Sequence, residues 1–79
     1  MNNNEKYLNT FVEIFGVSAE NAVTLEYQGI PEWDSVGHME LVAAIEDAFD
    51  IMMDTDDIID FSSFEKGKEI LANNYNVEF

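Results

Sequence analysis

Pro31-Glu32-Trp33-Asp34-Ser35-Val36-Gly37-His38-Met39-Glu40-Leu41 is the stretch on which the reading of this chain turns. A polar and aromatic segment ends there in the one proline, which biases Ile30 away from helix and fixes the approach to whatever follows. An apolar helical pattern starts immediately afterwards. Asp34 and Ser35 stand at the junction, and the side-chain oxygen of either can accept from first-turn amides. A serine in that position holds its hydroxyl on a rigid mount beside the positive end of a helix dipole. The placement suits a hydroxyl that is offered to another protein and then esterified to a phosphate.

Outward from the junction, the pattern predicts a helix from about Ser35 to Phe49. Met39, Leu41, Val42, Ile45 and Phe49 fall in one broad arc and are expected to face a core. The opposite stripe, Val36, Glu40, Ala43 and Asp47, sets two small apolar residues between two acids, a pattern closer to a docking surface than to a merely solvated face. Gly37 weakens the helix by about 1 kcal/mol relative to Ala, and reads as a residue that keeps the first turn loose near Ser35. Upstream, Tyr7, Leu8, Phe11, Val12 and Phe15 trace one stripe of a helix from about Glu5, capped by Asn3 or Asn4 and stopped by Gly16. Val17 to Glu32 lacks a sustained period. A turn of helix is expected around Ser18 to Ala22, with Val23, Leu25, Tyr27 and Ile30 as inward anchors, and a connection of this length calls for packing or function.

Downstream, a short helix capped by Asp54 or Thr55 is expected to plug the core with Ile58 and Ile59 while Asp56, Asp57 and Asp60 face water. Ser62-Ser63-Phe64-Glu65 fits a capping box, with Ser62 at the cap. It opens a last helix to about Asn73 that buries Phe64, Ile70 and Leu71, with Gly67 allowing close helix approach. Asn74 to Phe79 reads as a tail. The result is an all-α fold, a small four-helix bundle with a long first loop and a short third helix, in one domain spanning 1–79.

Composition narrows the function classes. Of 79 residues, 47% are hydrophobic, too many for a disordered acidic tail. Seventeen acids against three lysines give a formal charge of -14. Nucleic acid is excluded as a partner because phosphate backbones need cations to bind them, and anionic membrane surfaces are disfavoured. Partners with basic patches are favoured by complementarity, and the charge argues for a monomer. The chain has no cysteine, so disulfides, thiolate metal sites and cysteine nucleophiles are excluded. Residues 1–6 lack the apolar run of a signal peptide, and the chain starts with Met and stops soon after the last helical pattern. It is therefore expected to be a free-standing, cytoplasmic protein.

Asp34-Ser35-Val36 resembles the Asp-Ser-Leu attachment motif of acyl carrier proteins. The similarity runs on through Met39-Glu40-Leu41-Val42-Ala43-Ala44-Ile45-Glu46-Asp47-Ala48-Phe49-Asp50 and, more weakly, to Leu71, over half the chain. Gly37 departs from the pattern, which more often has Asp or a helix former there. The resemblance implies that Ser35 carries 4′-phosphopantetheine through a phosphodiester bond, with acyl groups held as thioesters on its thiol. It implies that Asp34 takes part in recognition by the phosphopantetheinyl transferase. Val36, Met39, Glu40, Ala43, Asp47, Asp56 and Asp57 would dock acyl-loading and acyl-transfer enzymes with basic patches, in lipid or specialised-metabolite biosynthesis. The chain itself would catalyse nothing.

Other readings of the same residues are weaker. A peptidyl or aminoacyl carrier uses the same arm but more often has a Gly-Gly-His-Ser type of motif. An unmodified acidic adaptor for basic partners would tolerate loss of Ser35. His38, three residues after Ser35, suggests a hydrolase, but no signature supplies the third group or the oxyanion site, and a half-covered core histidine is the better reading. An EF-hand loop starting at Asp54 fails where Ile58 and Ile59 replace an oxygen ligand and the required Gly, so a dedicated metal site is not expected. Met39, Met52 and Met53 read as adaptable core filler, and Trp33 as a loop anchor or a cover for the arm. The bulk of Phe11, Phe15, Phe49 and Phe64 inside points to small or polar cargo.

Overall fold

Aromatic residues one helical turn apart give the first element its buried stripe. α1, Asn3–Phe15, buries Tyr7, Phe11 and Phe15 along with Thr10, whose hydroxyl is satisfied by the Lys6 carbonyl at 2.9 Å. The computed structural model describes residues 2–79. The cap of α1 is Asn2 and not the expected Asn3 or Asn4: its side chain accepts from the Glu5 amide at 2.9 Å, because Asn3 and Asn4 are already helical. Gly16 ends the helix in the left-handed region at φ 65°, where a side chain would be strained.

The segment after Gly16 holds α2, Ala19–Ala22, a single turn capped by Ser18 on the Asn21 amide. Beyond it the chain has no period yet is tied down. Leu25 O accepts from Phe64 N and Ser62 O from Tyr27 N, both at 2.9 Å, which pairs the loop with the segment leading into the last helix. A turn follows in which the Gln28 amide reaches the Trp33 carbonyl at 2.9 Å. Leu25 is buried and Ile30 partly so, as expected, but Val23 and Tyr27 are exposed. The loop therefore delivers Trp33, fully buried, to the middle of the core.

α3, Ser35–Phe49, packs against α1 and buries Leu41, Val42 and Ile45. Met39, expected in the same arc, is 52% exposed. Residues advance about 100° each along a helix, and that rotation leaves Met39 more than a quarter turn from the arc's centre. After α3 comes α4, Thr55–Asp60, then α5, Phe64–Asn74, which buries Phe64, Ile70 and Leu71 as expected. Ile58 is half-buried, but Ile59 is 71% exposed and Met52 87% exposed, so neither of these fills the core. A six-residue helix lying across the surface can turn only one of two adjacent isoleucines inward. Asp54 occupies the cap position without a side-chain capping bond, and its own amide donates to the Tyr75 hydroxyl at 2.8 Å.

Ser63, not Ser62, caps α5, accepting from the Lys66 amide at 3.0 Å. Gly67 is buried, and a Cβ there would overlap the Phe61 ring and the Tyr7 hydroxyl, so it makes room for two side chains and not for the close helix approach expected. The tail is held as well. Val77 is buried, the Phe79 ring lies 5.5 Å from Tyr7 and 6.2 Å from Phe49, and Asn3 Nδ2 donates to the Glu78 carbonyl at 2.8 Å. The described residues are thus mostly helical, in one all-α unit closed over a single aromatic core.

Candidate functional site

The start of α3 is built from three coupled choices. Asp34 is the N-cap, extended at φ -99° and ψ -167°, and its Oδ1 accepts from the Gly37 amide at 2.8 Å. With the capping bond made by Asp34, Ser35 becomes the first helical residue, and its hydroxyl does no capping work. That hydroxyl is exposed, with the Tyr27 hydroxyl at 3.3 Å as its partner. Gly37 is buried, and a Cβ there would overlap the carbonyl oxygen of Glu32. Gly37 therefore does not loosen the turn, as the sequence suggested; it lets the loop press directly on the helix. The first turn is pinned from behind while Ser35 faces out.

His38 completes the arrangement. The Trp33 indole donates from Nε1 to His38 Nδ1 at 2.9 Å, and His38 Nε2 meets the Ile58 carbonyl at 2.8 Å. Because an indole can only donate, Nδ1 accepts, and the neutral ring carries its proton on Nε2 for Ile58. Ile58 lies in the last turn of α4, so its carbonyl is one that the helix leaves unpaired. The half-covered histidine expected from sequence is thus a brace joining the loop, α3 and α4. Both ring nitrogens are engaged away from Ser35.

Beside Ser35 runs a groove of about 390 Å³ between α3 and α4. Met39 and Ile59 form its exposed lips, Tyr27 and Ile58 flank it, and the least exposed lining residue is Phe61. Phe61 went unnoticed in the sequence because it follows a short acidic helix and belongs to no periodic stripe. An apolar residue placed just after a helix end, free to fold back on it, was the available signal. Tyr27, expected to point inward, lies instead at the mouth of the groove. A wider hollow of about 530 Å³ against α5 is lined by Val23, Lys68 and Phe79 among others and does not include Ser35.

The remaining predicted site residues divide in two. Val36, Glu40, Ala43 and Asp47 are all exposed on α3, with Asp47 at the edge of a hollow shared with Lys6 and Glu13 of α1, and Asp56 is exposed on α4. Asp57 is half-buried and occupied: Tyr75 donates to its Oδ2 at 2.6 Å and Asn74 to its Oδ1 at 3.0 Å. Its carboxylate ties α4 to the end of α5. No helix among the described residues is long and apolar enough to cross a membrane. No family model matches the chain, and no curated protein or solved structure matches it either.

Proposed function

We propose that this chain is an acyl carrier protein, with 4′-phosphopantetheine attached to Ser35 and an acyl or aminoacyl group delivered on it to biosynthetic enzymes. In this reading α1, α3, α4 and α5 are the four helices of the bundle, and α2 is a turn within the long first loop. The observation that carries the proposal is the exposed Ser35 hydroxyl, released from capping by Asp34, at the mouth of an apolar groove.

The residues present fit the arm. A phosphodiester on Ser35 would sit at the N-terminus of a fifteen-residue helix, where unpaired amides and the dipole favour an anion. When attached, the arm supplies the thiol that holds cargo as a thioester. The chain's own contribution is to hold the Ser35 oxygen outward, to pin the turn through Gly37, and to offer an acidic face beside it. Val36, Met39, Glu40, Ala43, Asp47 and Asp56 form that face in this reading, with Asp57 contributing charge more than a free side chain.

Intact mass after incubation with coenzyme A, Mg²⁺ and a broad-specificity phosphopantetheinyl transferase tests the attachment. A gain of one phosphopantetheine supports the carrier, and a folded chain that gains nothing returns the reading to an acidic adaptor. The docking face has its own check. Glu40→Lys with Asp47→Lys is expected to slow arm transfer about tenfold or more at low salt and less at high salt; an unchanged rate removes those residues from the interface.

A further inference from the structure

We propose that His38 closes the inner end of the groove beside Ser35 and so limits the cargo to short acyl chains, an inference that rests on the carrier reading of Ser35. No lysine and no carboxylate lines the groove. Its occupant is therefore uncharged and apolar, which suits the hydrocarbon end of a thioester held on the Ser35 arm.

Two features stop that hydrocarbon from passing inward. The first is the brace: His38 is bonded to the Trp33 indole at one nitrogen and to the Ile58 carbonyl at the other. A chain threading between α3 and α4 would part these groups, leaving the Trp33 N–H and the part-buried Ile58 C=O without partners. The second is the absence of slack behind Phe61. Its ring stacks on Phe11 at 6.2 Å, meets the fully buried Trp33 at 6.3 Å, and fills the space that a side chain on Gly67 would need. Close-packed rings do not open a channel without a discrete rearrangement. The groove ends at His38 and Phe61, and Trp33 marks what lies beyond it.

The test loads the chain with butyryl- and dodecanoyl-phosphopantetheine from the corresponding coenzyme A thioesters, using a broad-specificity transferase. Mass is read first, then the methyl resonances of Met39, Ile58 and Ile59, the Trp33 indole N–H resonance and the melting temperature. Both cargoes are expected to shift the methyls and leave the indole in place, and dodecanoyl is expected to raise the melting temperature no further than butyryl. In Phe61→Leu and in His38→Ala, dodecanoyl is expected to shift the indole and to stabilise beyond butyryl. A parent protein whose indole moves with dodecanoyl, with stabilisation growing with chain length, overturns the limit while the carrier reading stands. Variants that admit nothing longer than the parent overturn the roles of His38 and Phe61, and Phe61→Leu decides this alone if His38→Ala does not fold. Absence of any mass gain overturns the carrier reading and the inference together.

Discussion

The starts of α3 and α5 are built from the same parts and put them to different use. Each has a serine, a glycine within the first turn and a half, and a tyrosine hydroxyl. At α5, Ser63 is the cap, its oxygen taken by the Lys66 amide at 3.0 Å, and Tyr7 donates to the Phe64 carbonyl at 2.6 Å in full burial. At α3, Asp34 makes the capping bond at 2.8 Å, so Ser35 is left with only an exposed contact to Tyr27 at 3.3 Å. Shifting the cap by one residue turns a structural serine into an available one. The chemistry proposed for Ser35 rests on that shift and not on the serine itself.

The largest effects should come from the glycines that let neighbours press on each helix start. Gly67→Ala places a Cβ against Phe61 and Tyr7 inside the core, and is expected to cost about 3 kcal/mol in urea unfolding. Gly37→Ala drives a Cβ into the Glu32 carbonyl, a backbone atom one residue before the buried Trp33, and is expected to cost about as much. A gain in stability from Gly37→Ala would mean that helix propensity outweighs contact there and that the first turn is loose.

Tyr7 sharpens the contrast next. Burial drives the Tyr7 hydroxyl far above the ordinary tyrosine range, against a smaller opposing pull from the backbone at Lys68. A group whose folded pKa is raised contributes stability that is complete below its unfolded pKa, near 10, and is lost as pH climbs above it. Stability should therefore fall in alkali above about pH 10. Tyr7→Phe should flatten that fall, while costing about 1 kcal/mol at neutral pH for the lost hydrogen bond. Equal alkaline loss in the Tyr7→Phe protein would move the effect elsewhere.

The caps give the smallest and most discriminating differences. Ser63→Ala and Asp34→Ala should each cost about 1 kcal/mol. Ser35→Ala, which removes no capping bond, should stay within about 0.5 kcal/mol of the parent. A Ser35→Ala loss equal to that of Ser63→Ala would make Ser35 an ordinary cap and dissolve the comparison.

Much of this was legible in the sequence where periodicity was long. The stripes of α1 and α5 and the inner arc of α3 follow from spacing, and the exposed face of Val36, Glu40, Ala43 and Asp47 follows from the same rotation. Gly37 could not be read correctly, because its reason is a carbonyl on a loop that has no period. Trp33, His38 and Ile58 were each visible, but their two hydrogen bonds depend on how the loop and α4 meet α3, which no local pattern encodes. Met39 was placed inside by too broad an arc and is turned outward by helix rotation, and Ile59 is outside because a short helix can bury only one of two adjacent isoleucines. Those same exposed side chains border the groove.

Ser35 is exposed and free of capping work, and Ser63 is not. That difference is tested most directly by intact mass of the parent, Ser35→Ala and Ser63→Ala proteins after incubation with coenzyme A, Mg²⁺ and a phosphopantetheinyl transferase. One phosphopantetheine is expected on the parent and on Ser63→Ala, and none on Ser35→Ala. Modification that survives in Ser35→Ala, or a folded parent that takes up no arm at all, would contradict it.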